Sequence, residues 1–236
     1  MSDERNCKPF LEMLFGVNIE KVVVSKEKSI GYLPDKRSVR LDVYVKDENN
    51  THYNIEMQAL QKDSIVKRTR YYHSQIDMDL ISTGTYYKDL PPVYVIFICD
   101  FDPFNWSKYC YTVKSKCVQV PELEIDDGVE TIYLNTLGTN ESEVSDSLKN
   151  FLKFVHAPLE ESKTDFHDPY VKQLQSSIAQ VKKDREMGAE YMIFQELIDE
   201  EIAEVKEEAR AEGRAEGREE GREEGRAEGR EVKYTP

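Results

Sequence analysis

Between residues 40 and 58 the chain reads RLDVYVKDENNTHYNIEMQ, with apolar and polar residues alternating on both sides of a turn-forming DENN. A period of two predicts an antiparallel hairpin. Closing the turn between Asp47 and Thr51 puts Leu41, Val43 and Val45 on one face with Met57, Ile55 and Tyr53. The other face is then polar, as a half-buried sheet requires. In that register Asp42 lies opposite Glu56, Arg40 opposite Gln58, and Tyr44 opposite Asn54.

The flanking segments follow other periods. Phe10, Leu11, Leu14 and Phe15 form one stripe, so residues 8–15 are expected to be a short helix, ended by Gly16. The β-branched IEKVVVS at 19–25 reads as a strand, and a loop with Gly31 and Pro34 leads into the hairpin. Asp63 is the expected N-cap of a helix reaching about residue 83, with Ile65, Tyr72, Ile76 and Leu80 on one side and Gly84 beyond its end. PPVYVIFICDFDPF, from residue 91, opens on two prolines and continues as an unbroken apolar run, the pattern of a strand buried on both faces. Further strands are expected within 109–120 and 129–136, then a helix opening at 138–142 and ending near 156. The order helix, three strands, helix, strand implies an α/β fold whose mixed sheet is covered by helices.

From residue 168 the pattern is helical and charged, and it ends in the repeat RAEGRAEGREEGREEGRAEGR. A glycine at every fourth position costs a helix about 1 kcal/mol each relative to alanine. The same period stacks Glu212, Glu216 and Glu220 along one stripe, where they repel. Residues 209–236 are therefore expected as a frayed or conditional helix outside the fold, or as a self-association or docking segment.

Composition narrows the class. The chain has 236 residues, of which 39% are hydrophobic and 33% charged, enough for one ordinary domain with an appendage. A net charge of -14 argues against broad electrostatic affinity for nucleic acid. It leaves room for a local basic face at 62–73, where Lys62, Lys67, Arg68 and Arg70 adjoin Tyr71 and Tyr72. No apolar run approaches the roughly 18 residues of a membrane span, and MSDERNCKPF lacks the order of a secretory signal. Cys7, Cys99, Cys110 and Cys117 show no CxxC spacing, so reduced thiols and a cytoplasmic location are expected.

Asp42 and Glu56 carry the candidate chemistry. Directly opposed strand residues hold their Cβ atoms about 4.5–5.5 Å apart, so two carboxylates there repel unless something positive lies between them. A divalent cation satisfies that need, and so would neutralisation by Arg40 and the basic helix, leaving a merely polar face. Asp100 and Asp102 form a DxD pattern read as a polar turn, and His52, His73, His156 and His167 have no metal-ligand spacing. No Gly-rich phosphate loop or nucleophile elbow is present.

SVRLDVYVKDENNTHYNIEMQ, followed by KRTRYYHSQIDMDLISTGTYYKDLPPVYVIFICDFDPF, resembles the Rpn-type recombination-promoting nuclease/transposase family of the PD-(D/E)XK nuclease superfamily. The likeness covers about residues 8–136. It implies a restriction-endonuclease-like αβββαβ core, a mixed central sheet flanked by helices, with a helical C-terminal extension. It divides the chain into a nuclease-like core at 1–137, a helical extension at 138–208 and the RxEG tail at 209–236. It assigns Asp42 and Glu56 as the acidic residues of the second and third core strands. Gln58 takes the place where the wider superfamily has lysine, and Pro34-Asp35 becomes a loop decoy.

The implied activity is Mg²⁺-dependent endonucleolytic hydrolysis of DNA, with Mn²⁺ able to substitute, linked to recombination and mobile elements. Asp42, Glu56 and the backbone carbonyl of Met57 would hold the metal, and Gln58 would orient water or phosphate. Arg40, Lys67, Arg68, Arg70, Tyr71 and Gln75 are the expected DNA contacts. Family members usually carry a segment ahead of PFLEML, so a shortened first core helix is expected, with Glu12 as a substitute acidic group. The competing accounts are an inactive nuclease-like protein that binds DNA or partners, and an acidic protein that assembles through its tail. Coordinated double-strand cleavage would favour a homodimer.

Overall fold

The computed structural model describes residues 3–30, 39–61, 64–84 and 86–183. Pro34-Asp35, the Asp63 cap and the 209–236 tail lie outside the described residues.

Helix α1 (Glu4–Phe15) starts four residues earlier than the apolar stripe alone indicates, because the Asp3 carboxylate caps it, accepting the Asn6 N–H at 2.8 Å. Its end is the expected one: Gly16 adopts the left-handed conformation at φ 66° and returns its N–H to the Glu12 carbonyl. Pro9 lies inside α1 and supplies no N–H to the Arg5 carbonyl one turn back. That carbonyl is met instead by the side-chain amide of Gln173, at 2.7 Å, from a helix near the other end of the sequence.

The strands are β1 (Val22–Ile30), β2 (Val39–Asp47), β3 (His52–Gln58), β4 (Val93–Cys99), β5 (Cys110–Val113) and β6 (Val129–Asn135). They form one six-stranded sheet in the order β1-β2-β3-β4-β6-β5. β3, β4 and β6 run parallel in the middle, and β1, β2 and β5 are antiparallel to their neighbours. β1 begins three residues later than the apolar pattern suggests and extends through KEKSI; it is an edge strand, where charged side chains are favoured. Helix α2 (Ile65–Leu80) links β3 to β4, and α3 (Asp146–His156) and α4 (Pro169–Lys183) follow β6.

Each face of the sheet has its own core. On one, Phe10 and Leu11 of α1 meet Val45, Tyr53, Ile55, Ile96, Ile98, Phe151 and Val171. On the other, Ile76 of α2 packs with Leu41, Tyr44, Val95, Phe97, Cys99 and Tyr133. β4 thus sends alternate side chains into two apolar layers, which is why its run is unbroken. α3 and α4, which the sequence placed in an extension after residue 137, complete the α1 layer. Phe151 sits 5.3 Å from Phe10 and 5.8 Å from Tyr170, ring centre to ring centre, and the Tyr170 hydroxyl donates to the Asn6 carbonyl at 3.0 Å. Described residues up to Ala179 form one compact unit. No helix among the described residues is long and apolar enough to cross a membrane.

Candidate active site

The hairpin adopts the register its alternation dictates: Val43 pairs with Ile55, Tyr44 with Asn54, Val45 with Tyr53 and Lys46 with His52. The turn closes where Asp47 N–H donates to the Thr51 carbonyl at 3.1 Å. Two features depart from the expected pattern. The polar face is not solvated, since α2 covers it: Tyr44, Asn54, Glu56 and Gln58 are all buried, while Met57 on the supposed apolar face is half exposed.

The second departure is at Asp42. The β2–β3 ladder stops at Val43, and the β1–β2 ladder skips the Glu27/Asp42 position although Lys26↔Val43 and Lys28↔Leu41 pair on either side. Glu27 there has φ 51°, a left-handed backbone rarely taken by a residue with a side chain. Beyond this break the strand's facing reverses. Leu41, expected beside Val43 and Val45, is fully buried in the α2 layer with Tyr44.

The break brings the two acids together. The Asp42 N–H, out of the ladder, donates to Glu56 Oε1 at 3.2 Å. The Met57 N–H donates to Asp42 Oδ2 at 3.3 Å. N–H and C=O of one strand residue point to the same edge, so the Met57 carbonyl is directed to this gap as well. Glu56 is only 4% exposed, whereas Asp42 is at the surface. Glu56 Oε1 also accepts the Asn54 amide at 2.9 Å, while Oε2 meets the Tyr72 hydroxyl at 3.5 Å, the edge of hydrogen-bonding range. Burial, and next the Asp42 charge, push the Glu56 carboxyl up to about 7.

Glu56, Phe97 and Tyr133 form one row across β3, β4 and β6, with Gln58, Cys99 and Asn135 in the row at residue-pair separation toward the strand ends. The site therefore lies at the carboxyl ends of the parallel strands, the usual place for ligands in open α/β sheets. Tyr72 stacks on Phe97 at 6.1 Å and Phe97 on Tyr133 at 5.8 Å, so the floor beside Glu56 is aromatic.

Gln58 is buried and its amide is engaged at both ends. Nε2 donates to the Leu60 carbonyl at 2.8 Å, and Oε1 accepts from the Arg68 guanidinium. Arg68 lies over the rings of Phe97, at 5.0 Å, and Tyr72, at 5.8 Å. Its buried Nε has no hydrogen-bond partner among the described residues, and neither does Asn54 Oδ1.

Of the residues singled out in the sequence, Asp42, Glu56, Gln58 and Arg68 converge. Arg40 does not pair with Gln58; it lies opposite Ser29 on β1 and binds Glu27 at 2.6 Å. Lys67 and Arg70 are exposed on α2, Tyr71 is half-buried against the α2 core, and Gln75 turns its amide to Met78 Sδ at 4.0 Å. Tyr72, one turn after Arg68, is the tyrosine that reaches Glu56. Asn54 is the contributor that had no role in the sequence reading, findable as the polar residue two before Glu56 on the same strand face; Tyr72, noted there only as an aromatic neighbour of the basic face, borders Glu56. Glu12 serves elsewhere: its carboxylate accepts the Ile19 N–H at 3.0 Å, on the α1 side. Asp102 organises a turn, accepting the N–H groups of Phe104, Asn105 and Ser107, and Asp100 accepts Thr136 Oγ1 and contacts His156 Nδ1. All four cysteines are free thiols.

A mixed sheet carrying two acids at a break between its second and third strands, covered by helices on both faces, is the restriction-endonuclease-like α/β architecture. The chain belongs to the PD-(D/E)XK nuclease family transposases, whose family model matches residues 7–207. Comparisons with curated proteins and with solved structures found no match.

Proposed function

We propose that this protein is a metal-dependent DNA endonuclease, and that Asp42 and Glu56 form its cation site. One observation carries the reading: a carboxylate 4% exposed, facing a second carboxylate, with one oxygen held only at hydrogen-bonding range's edge. Such a group fits a hard cation, because burying an uncompensated charge is costly. Among the described residues no cluster of three or more His, Cys, Asp or Glu offers a cation site. Two carboxylates with the Met57 carbonyl, the remaining positions taken by water, are a donor set suited to Mg²⁺ or Mn²⁺. A cation bound there would lower the pKa of a bound water and offset charge on the phosphorane-like transition state.

The chain's own residues do the rest. Asn54 orients the Glu56 carboxylate from within the strand, and Tyr72 borders it from α2. The covering helix keeps water from the inner side of Glu56 and so strengthens its interactions. Arg68 brings positive charge to the end of β3, and the exposed Lys67 and Arg70 continue it along α2 toward a phosphate backbone. Arg40, Tyr71 and Gln75 stand as outer DNA contacts. The four free thiols fit a cytoplasmic enzyme.

Nicking of supercoiled plasmid in the presence of Mg²⁺ or Mn²⁺ tests the proposal. Cleavage is expected from the wild type and is lost in both Asp42→Asn and Glu56→Gln. DNA binding without cleavage under every cation would favour a nuclease-like binding protein instead.

A further inference from the structure

Gln58 presents a physical contradiction if it is the group that handles water or phosphate. An amide that orients a reactant needs a donor or acceptor turned outward, and this side chain is buried with Nε2 on the Leu60 carbonyl and Oε1 on Arg68. Its backbone is fixed too, the carbonyl accepting the Asp100 N–H at 2.9 Å. What those contacts hold in place is a guanidinium. Arg68 is gripped at its tip by Gln58 and flanked by the faces of Phe97 and Tyr72. Tyr72 in turn reaches Glu56, so the cation and the acidic pair share one wall.

Arginine stays protonated under all working conditions and carries five N–H donors in a rigid fork. One of them, the buried Nε–H, has no partner among the described residues. That unmet donor marks a cation whose hydrogen bonds are not all satisfied inside the fold, and Arg68 as a whole is only half-buried, so its guanidinium is open to an acceptor from outside. Beside two carboxylates that would take a cation, the acceptor whose chemistry fits a planar fork is a phosphodiester oxygen.

We infer that Gln58 is a positioning residue: it holds Arg68 so that the guanidinium meets a non-bridging oxygen of the DNA phosphate lying at Asp42 and Glu56. This deepens, and rests on, the nuclease reading of the site. Gln58 then acts through Arg68 and touches neither water nor phosphate.

Binding of a fluorescein-labelled DNA duplex, followed by anisotropy in EDTA across a salt series, tests the inference without cleavage. Arg68→Ala is expected to weaken binding by about tenfold and to lower the salt slope by about 1. Gln58→Ala should do the same, and the double variant should be no weaker than either, because both remove one contact. Should Arg68→Ala fail to fold, Arg68→Gln, which keeps the stem over Phe97, is read in its place. Unchanged binding in Gln58→Ala alongside weakened binding in the Arg68 variant would overturn the positioning role. Unchanged binding in both, or multiplicative losses in the double variant, would overturn the shared contact. Cleavage by the wild type is scored separately in Mn²⁺: its absence with the expected binding pattern intact would sink the nuclease reading alone.

Discussion

Asp42 and Glu56 are linked by backbone rather than by their charges: the Asp42 N–H donates to the Glu56 carboxylate at 3.2 Å, and the N–H of the residue after Glu56 donates to the Asp42 carboxylate at 3.3 Å. Each acid is thus held by the other's strand. The arrangement exists because the ladder opens at Asp42, freeing N–H groups that ladder carbonyls would otherwise occupy. Two anions are kept together by amide donors, and the cost of burying Glu56, with the Asp42 charge second, is stored as a raised proton affinity on its carboxyl.

That stored cost has a pH signature. The Glu56 carboxyl rises from 4.5 to about 7 on folding, so the native state holds a proton the unfolded chain has released. Stability from this group is complete below about 4.5 and falls as pH rises toward about 7. His52 and His73, both lowered by burial to about 4, act oppositely between there and 6.5. The difference between Glu56→Gln and wild type isolates the carboxylate. In metal-free buffer Glu56→Gln should be more stable at pH 8 by on the order of 1–3 kcal/mol, a gain that shrinks to near zero by about pH 4. Thermal melts of the two proteins across this range check it.

Asn54 is buried with its amide nitrogen on Glu56 and its amide oxygen without a partner among the described residues. Such a residue serves the carboxylate more than the fold. Asn54→Ala should raise the Glu56 titration midpoint further, by about one pH unit, since a hydrogen bond to a charged group is worth roughly 1.5 kcal/mol. Carbon-detected NMR of labelled glutamate reads the midpoint directly.

Pro9 and Gln173 form a compensating pair across the α1 layer. Gln173→Ala leaves the Arg5 carbonyl without its side-chain donor and should cost about 1 kcal/mol. Pro9→Ala returns an intrahelical N–H to that carbonyl, so the same Gln173 substitution in the Pro9→Ala background should cost measurably less. Denaturant unfolding of the four proteins in the cycle gives the coupling.

The hairpin register was legible because alternation leaves one way to bury Val45, Ile55 and Tyr53 together. The doubly buried β4 was legible for the same reason. The reversal at Asp42 was not, because it depends on Glu27 adopting a left-handed backbone on a neighbouring strand, and no local pattern in LDVYV announces that. Tyr44, Asn54 and Gln58 read as a polar face; only the position of α2 shows them to be buried. The early start of α1 rests on the Asp3 cap, which the apolar stripe from Phe10 to Phe15 does not report. Gln58 could be placed beside the acids from its spacing, but its grip on Arg68 is a contact across ten residues of sequence that only the fold reveals.

The central claim, that Asp42 and Glu56 together hold one divalent cation, is tested most directly by titrating Mn²⁺ into the protein at pH 8 and following free Mn²⁺ by electron paramagnetic resonance. The account predicts about one site per chain, weakened at least about tenfold in Asp42→Asn and likewise in Glu56→Gln, with both variants folded. Wild-type affinity retained in either variant would contradict it.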